Sequence, residues 1–379
     1  MVKIYIGSDV HKRSVYITEL NEDGSIGEQY EIANSEDSWM KFRERYLSMK
    51  PEIALEVSTS GKYVARLLRD MGFSMHLADP VKLALIFNTA KKNDKEDSYK
   101  LAKLLRLGEL PEVHLPSRES DDLRSLVRYR RSLGEEITGI KNRIHAILTA
   151  YGISIDASDI FGRKGVREME KASGKLSTPD KMVMADMIHR VSDLKQREDS
   201  MEDEMSRIVE TNRNVKTLMT IPGINVYSAA SIMAEIDDVA RFTSKEKLAA
   251  YAGLVPRQDQ SGNSDRRGHI TKHGPSMLRF VLVTAAHSVI KYSQKLKKKY
   301  LSIVKRLGKN RAIVAIARLL IEIVYAMLTR GEDFVDEIES LTERKMRAMS
   351  ARARNPKGVQ EVRDAIDSLR NRRSRKMSG

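Results

Sequence analysis

The pattern of apolar and polar positions changes character along the chain. From Val2 to Ile32 it reads as three short strands, Val2 to Val10, Ser14 to Leu20 and Ile26 to Ile32, separated by His11-Lys12-Arg13 and Asn21-Glu22-Asp23-Gly24. These predict an antiparallel meander. Ser35 or Asp37 can cap a helix through about Met49, and Pro51 then introduces an apolar, buried strand, Ile53 to Val57. A helix over Tyr63 to Met71 and a strand over Ser74 to Ala78 follow; after Pro80 come two helical stretches, the second beginning near Asp94. A meander followed by alternating helices and strands is the order of a ribonuclease-H-like α/β domain, which closes near Pro116.

Beyond that point the period becomes helical. Leu123, Leu126, Leu133, Ile137, Ile140, Ile144 and Leu148 form an apolar stripe within 117–153, and a second charged helical stretch covers 179–211. Such a stripe needs a partner, either the second stretch in an antiparallel pair or another copy in a dimerising coiled coil, and periodicity does not separate the two. Gly162 to Lys175 breaks the pattern and reads as the tip. Leu218 to Ile236 is compact and apolar, 256–268 reads as a polar loop, and apolar helices return over Met277 to Ile290 and Arg311 to Leu328. The expected organisation is 1–116 as the α/β domain, 117–212 as the helical pair, 213–300 as a mainly helical domain, and 301–379 as further helices with a basic tail.

Charge narrows the partners. The 379 residues carry a formal net charge of +15, and clustered Lys and Arg gain free energy by displacing counterions from a polyphosphate, so nucleic acid is the first expectation. No apolar run approaches the roughly 18 residues of a spanning helix, and no apolar leader follows the amino terminus, which favours a cytoplasmic protein acting on DNA rather than a membrane protein. The absence of cysteine excludes disulfides, thiolate zinc sites and cysteine nucleophiles, and the eight histidines show no metal-ligand spacing. Any metal is expected to sit on oxygen.

Carboxylates stand where oxygen ligands would be useful. Asp9 ends the first strand in Ile-Gly-Ser-Asp-Val, and Glu56 interrupts Ile-Ala-Leu-Glu-Val in the strand expected at the centre of the sheet, where a charge is costly unless it serves as a ligand. Asp94 and Asp97 are three apart and share a helix face. Read alone, that pair is also what helix capping and the helix dipole favour. All four together favour a divalent cation, Mg²⁺ being suited to carboxylate and water oxygens.

The stretch from Pro256 to Leu278 holds Ser261 and Ser264 in the company of Arg257, Arg266, Arg267, Lys272 and Arg279. Serines in such loops are commonly turn residues, but a cluster of this kind suits a phosphodiester and could stabilise charge during attack by a serine hydroxyl. Leu218 to Val226 resembles the turn of a helix-hairpin-helix, although an ordinary helix corner built on Pro222 and Gly223 fits as well.

Taken together, these residues resemble the transposases of insertion-sequence family 110, also described as bridge-RNA-guided recombinases. The family's RuvC-like DEDD tetrad falls on Asp9 in Gly-Ser-Asp-Val-His-Lys, Glu56 in Leu-Glu-Val-Ser, and Asp94 and Asp97 in Asp-Lys-Glu-Asp-Ser. Its carboxy-terminal transposase domain resembles the stretch from Ile221-Pro-Gly-Ile through Tyr251-Ala-Gly-Leu-Val-Pro-Arg to Gly268-His-Ile-Thr-Lys-His-Gly, and its nucleophilic serine matches Ser261-Gly262. This chain has Asn-Asp-x-x-Asp-Ser where the family commonly shows Thr-Asp-x-x-Asp-Ala, and Gln-Ser-Gly for Ser-Ser-Gly; Ser264 therefore stays a second candidate. The resemblance implies a Mg²⁺-dependent recombinase that forms a covalent phosphoserine link to DNA. It also implies a homo-oligomer, dimer or tetramer, that pairs one protomer's carboxylates with another's serine, and a structured noncoding guide RNA that selects donor and target DNA. A RuvC-like nuclease or junction resolvase without serine chemistry is the alternative.

Overall fold

The computed structural model describes residues 3–87, 93–261 and 264–354, the side chains of 258–267 excepted. It divides into two compact units, 1–116 and 117–379.

The first unit is built on six strands: β1 (Ile4–Val10), β2 (Ser14–Asn21), β3 (Ile26–Ala33), β4 (Glu52–Glu56), β5 (Ser74–Ala78) and the two-residue β6 (Glu112–Val113). Their order across the sheet is β3-β2-β1-β4-β5-β6. The meander is antiparallel, whereas β1 and β4, and β4 and β5, run parallel because helices carry the chain between them. This order is consistent with a ribonuclease-H-like start.

Alternation along the strands gives the sheet two buried faces. Ile6, Val15, Ile17, Ile53 and Leu55 pack with Trp39, Phe42 and Tyr46 of α1 (Glu36–Tyr46) and with Val64, Ala65 and Leu68 of α2 (Thr59–Asp70). After the short α3 (Pro80–Ile86), the opposite face receives α4 (Asp94–Leu107), which buries Leu101, Leu104 and Leu105 against Ala54 and Ala78. Each of those leucines stabilises the docking by about 1.5–3 kcal/mol. Gly7 sets how close α4 comes: a Cβ there would lie 1.9 Å from the Ser98 carbonyl oxygen and 2.6 Å from the Ala102 nitrogen. The Ser98 hydroxyl also meets Thr18 Oγ1 of β2 at 2.7 Å, fixing the first turns of the helix over the strands.

The second unit is mostly helical. The stripe in α5 (Arg118–Ala150) is covered by α7 (Thr178–Val209): Ile137, Ile140, Ile144 and Leu148 cluster with Met184 and Val191, while Arg130 reaches Glu198 at 3.2 Å and Glu202 at 2.7 Å. The pairing is antiparallel and within one chain. The expected tip is partly ordered as α6 (Arg163–Ala172), whose Val166 and Met169 join the same cluster. A larger core draws together α8 (Arg213–Met219), α9 (Val226–Ile236), α10 (Lys245–Tyr251), α11 (Ser276–Tyr292), α12 (Gln294–Leu307), α13 (Lys309–Arg330) and α14 (Glu339–Ala353). Buried Glu235 of α9 ties this core to α5 through Arg128 at 2.8 Å and Arg124 at 3.6 Å.

By length and composition α13 could cross a membrane, with a mean hydropathy of 2.0 over its most apolar window, which corrects the expectation that no run comes close. Half of that window is buried inside the protein, and Ile316, Leu320, Ile321 and Val324 are core residues, so its apolar character is explained by packing. A second correction concerns 256–268. It is not a loop but most of a hairpin, β7 (Pro256–Ser261) paired antiparallel with β8 (Ser264–Ile270). The basic tail from 355 onward lies outside the described residues.

Candidate functional site: a carboxylate cluster and a serine hairpin

Asp9 and Glu56 stand at the carboxyl ends of β1 and β4, and Asp94 and Asp97 in the first turn of α4. Gly7 faces α4, so period-two alternation sends Asp9 to the same face. On β4, Ala54 packs under α4, and Glu56, two residues on, shares its face. The last registered pair of these parallel strands is Ser8 with Leu55, which leaves Asp9 and Glu56 side by side just beyond it. Glu56 is exposed and closes its strand, correcting the expectation of a carboxylate inside a buried one. Its position needs no desolvation cost to be offset.

Asn93, not Asp94, caps α4, with its side chain accepting from the Lys95 N–H at 3.1 Å. Asp94 is thereby released from capping and its carboxylate turns to His11: Nε2 of His11 lies 3.2 Å from Asp94 Oδ2 and 3.4 Å from Asp9 Oδ2. One ligand atom from each of Asp9, His11 and Asp94 falls within 4.8 Å of the other two. Glu56 and Asp97 stand outside that tight group, and Asp97 Oδ1 accepts from Lys100 Nζ at 3.1 Å. His11 corrects the expectation that no histidine has ligand spacing. The sequence signal is the spacing Asp9-x-His11, with His11 one residue past the end of β1.

Two carboxylates and an imidazole converging at this range fit a divalent cation. The oxygens suit a hard ion such as Mg²⁺, and one nitrogen donor also admits Mn²⁺. At the opposite end of the sheet a second titratable group is fully hydrogen-bonded: His76 meets Glu52 at 2.6 Å and Glu112 at 2.8 Å. Desolvation there pushes the His76 pKa down, but the bonds to Glu52 and Glu112 outweigh it and leave the value raised. Glu52 is held below its ordinary value: desolvation acts upward, and the bonds to His76 and Ser74 outweigh it.

The hairpin that carries Ser261 belongs to the second unit. Ser261 ends β7 and pairs with Ser264, and Asp259 pairs with Arg266; the side chains of all four lie outside the described residues, as does that of Arg267. Arg257 near the start of β7 is exposed, and so is Lys272, which follows the hairpin with a φ of 55°. Arg279 has a structural use: its Nη1 donates to the carbonyls of Ala252, His273 and Gly274 at 3.2, 2.9 and 3.1 Å, fastening the segments on either side of the hairpin. Burial lowers its pKa. Between α8 and α9 the chain turns a helix corner, and Asn225 caps α9 by accepting from the Ser228 N–H at 2.9 Å.

An acid cluster at the strand ends of a mixed α/β sheet, followed by a separate helical unit, is the frame of a DEDD-type DNA transposase. The sequence comparisons agree at both ends of the chain. A model of the IS110 DEDD domain, described as a transposase, matches residues 6–153, and the model described as "Transposase IS116/IS110/IS902 family" matches residues 215–301. The chain belongs to the IS110 family of transposases and is a DNA transposase and recombinase. It is similar to the transposase for insertion sequence element IS1111A of Coxiella burnetii, 26% identical over 74% of this chain and 79% of that protein. A probable family 20 transposase of Pseudomonas aeruginosa is 25% identical over 73% of this chain and 84% of its own length. The pilin gene-inverting protein of Moraxella bovis is 34% identical over 33% of this chain and 40% of its own. A DEDD transposase domain implies a divalent cation, and its substrate is DNA.

Proposed function

We propose that this transposase cuts and rejoins DNA by pairing the carboxylate site of a RuvC-like domain with Ser261 as nucleophile. The observation that carries the reading is the convergence of Asp9, His11 and Asp94 at the junction of β1 and α4 in a chain that matches the DEDD transposase model. Asp9, Glu56, Asp94 and Asp97 would hold the cation, taken to be Mg²⁺, with His11 orienting the first and third. The bound ion supplies charge that polarises a phosphoryl oxygen. Glu56 is one strand from Asp9 on the same face, and Asp97 is one helical turn beyond Asp94, so both are within side-chain reach of the cluster.

The serine step forms a bond from Ser261 Oγ to phosphorus and breaks the bond to one bridging deoxyribose oxygen, which leaves as a hydroxyl. Attack by the hydroxyl of another DNA end reverses the step and restores a phosphodiester. Arg257, Arg266, Arg267 and Lys272 grip the DNA backbone in this reading, and Arg279 holds the base of the hairpin in place. Residues 213–300 act as the serine-bearing segment, 117–212 as the helical pair and 301–379 as added nucleic-acid surface. A homo-oligomer, dimer or tetramer, with helical-pair residues at its interface, would bring one protomer's carboxylates to another's serine. The net charge of +15 suits a structured guide RNA alongside donor and target DNA.

The test is incubation of the full chain with labelled element-end DNA, the RNA encoded beside the gene and Mg²⁺, followed by denaturing electrophoresis. A protein–DNA adduct that is lost in Ser261→Ala and kept in Ser264→Ala is the expected result. Cleavage without any adduct would make the protein a metal-dependent nuclease or resolvase, and an adduct surviving Ser261→Ala would move the nucleophile elsewhere.

A further inference from the structure

A groove of about 640 Å³ runs along α7 and takes no part in the carboxylate site or the hairpin. Ile188, Val191, Ser192, Lys195, Asp199 and Asp203 form its α7 wall, and their positions fall on one face of the helix. Phe161, Val166 and Met169 of the tip segment line it from the other side. The groove is therefore apolar towards Ile188 and acidic towards Asp203. Phe161, Val166 and Ile188 are only partly buried, so its apolar end still has surface to cover.

The last described helix leads into this groove. Midway along α14, Lys345 Nζ donates to the carbonyls of Ile221 and Ile224 at 3.1 Å each, beyond the carboxyl end of α7. Two turns later Arg352 donates to Asp203 at 2.9 Å and to Asp199 at 3.1 Å, with Glu202 at 3.4 Å. α14 thus runs antiparallel to α7, from the carboxyl end of α7 towards its middle. Asp199 and Asp203, which hold the Arg352 guanidinium, are themselves lining residues, so the chain reaches Arg354 at the acidic end of the groove with the apolar end ahead.

The sequence that comes next has the matching pattern. Val359, Val362, Ile366 and Leu369 are three, four and three residues apart, the spacing of an apolar helix seam, and Glu361, Asp364 and Asp367 stand beside them. Lys195 is a cation on the groove wall for those acids to meet. At a helical rise of about 1.5 Å per residue the wall from Asp203 to Ile188 is about 22 Å long, and residues 355–369 span the same distance at that rise. We propose that the groove is the seat of this chain's own residues 359–369, with Arg352 as the clamp that aims the segment along α7 and with Val362 and Ile366 covering Ile188 and Val191.

The chain has no cysteine, so introduced pairs report on proximity without background. Two cysteines bridge only where their Cα atoms come within about 7 Å. In the full chain, Ser192→Cys is combined in turn with Val362→Cys and with Ile366→Cys, oxidised mildly, and resolved by non-reducing electrophoresis and peptide mass spectrometry. At least one pair is expected to bridge within the monomer, whereas Arg197→Cys, on the opposite side of α7, is not expected to bridge to either partner. No bridge within the monomer, or bridging at position 197 as complete as at 192, would overturn the proposal. A dimer-sized product in its place would seat the segment on a second copy and would overturn it equally. A second readout needs no cysteine: in the double variant Val362→Asp, Ile366→Asp the amides of 188–196 are expected to exchange with deuterium several-fold faster than in wild type, and equal exchange would overturn the seating.

Discussion

The carboxylate cluster and the hairpin that carries Ser261 are built by opposite means. Asp9 and Asp94 come from a sheet and a helix locked together by a glycine contact on β1, a Ser98–Thr18 hydrogen bond to β2 and a leucine face buried on β4 and β5. Ser261 ends a two-stranded ribbon whose anchoring apolar residues, Val255 and Ile270, lie at its base, while Arg257, Gly268 and His269 are exposed. A cation site needs its ligands fixed to within a fraction of an ångström, which packed elements supply. In the function proposed above, Ser261 must meet DNA, which an end of a ribbon serves better than a packed core. The first region is therefore sensitive to packing changes, and the second to changes of charge and of one hydroxyl.

The largest effect expected is at the rigid end. Asp9→Asn should lower strand cleavage by at least about a hundredfold, because even residues that support metal ligands cost 10–100-fold when changed. The variant should still bind DNA, and its melting temperature without metal should hold or rise, since one of two facing carboxylates is neutralised. Gel-based cleavage rates and melting curves check both halves.

Gly7→Ala tests whether packing alone sets the site. The added Cβ meets backbone atoms of α4, which cannot rotate away, so the expected loss is about 2–3 kcal/mol in urea unfolding, at the upper end of overpacking costs. Divalent-cation affinity should fall as α4 carries Asp94 away from Asp9. Unchanged stability would mean that α4 and β1 are not held this closely.

For the hairpin the corresponding test is electrostatic. Arg257→Gln should leave the fold intact, weaken DNA binding across all sequences and reduce the slope of log affinity against log salt by about 1. A change confined to one target sequence would reassign Arg257 to base reading.

The smallest effect lies at the other end of the sheet. The raised pKa of His76 means that its stabilisation is complete below its ordinary value of 6.5 and is lost as pH rises through the raised value. Glu52, whose pKa is lowered, contributes fully above its ordinary 4.5 and loses that contribution as pH falls through the lowered value. His76→Gln should therefore cost most between these limits, by less than about 1 kcal/mol for so accessible a group, and least in alkaline buffer. Melting curves of wild type and variant at about pH 5.5 and pH 9 measure the difference.

Where an apolar face had to be buried, the sequence was readable. The meander, the strand from Ser74 to Ala78 and the stripe from Leu123 to Leu148 all carry the periodicity of elements that pack on a core. The β7–β8 hairpin had no such mark, since Gln258, Asp259 and Gln260 alternate with nothing apolar. The first segment of α6 was hidden for a related reason, since Val166 and Met169 are its only strong core residues amid six charged ones. Within the site, Asp9 and Asp94 were legible as acids at element ends. His11 was not, because its meaning depends on Asp94 arriving from more than eighty residues away. Glu56 belongs to the expected strand but closes it, because the strand stops there rather than continuing through Val57.

The central claim is that acids distant in sequence form one cation site in the front unit, and Mn²⁺ binding followed by electron paramagnetic resonance tests it most directly. Titration of the full-length wild type, Asp9→Asn, Asp94→Asn and Ser261→Ala, without nucleic acid, separates the two regions. The account predicts a tight site in wild type and in Ser261→Ala that is lost in both aspartate variants. Identical Mn²⁺ titrations for all four proteins would contradict it.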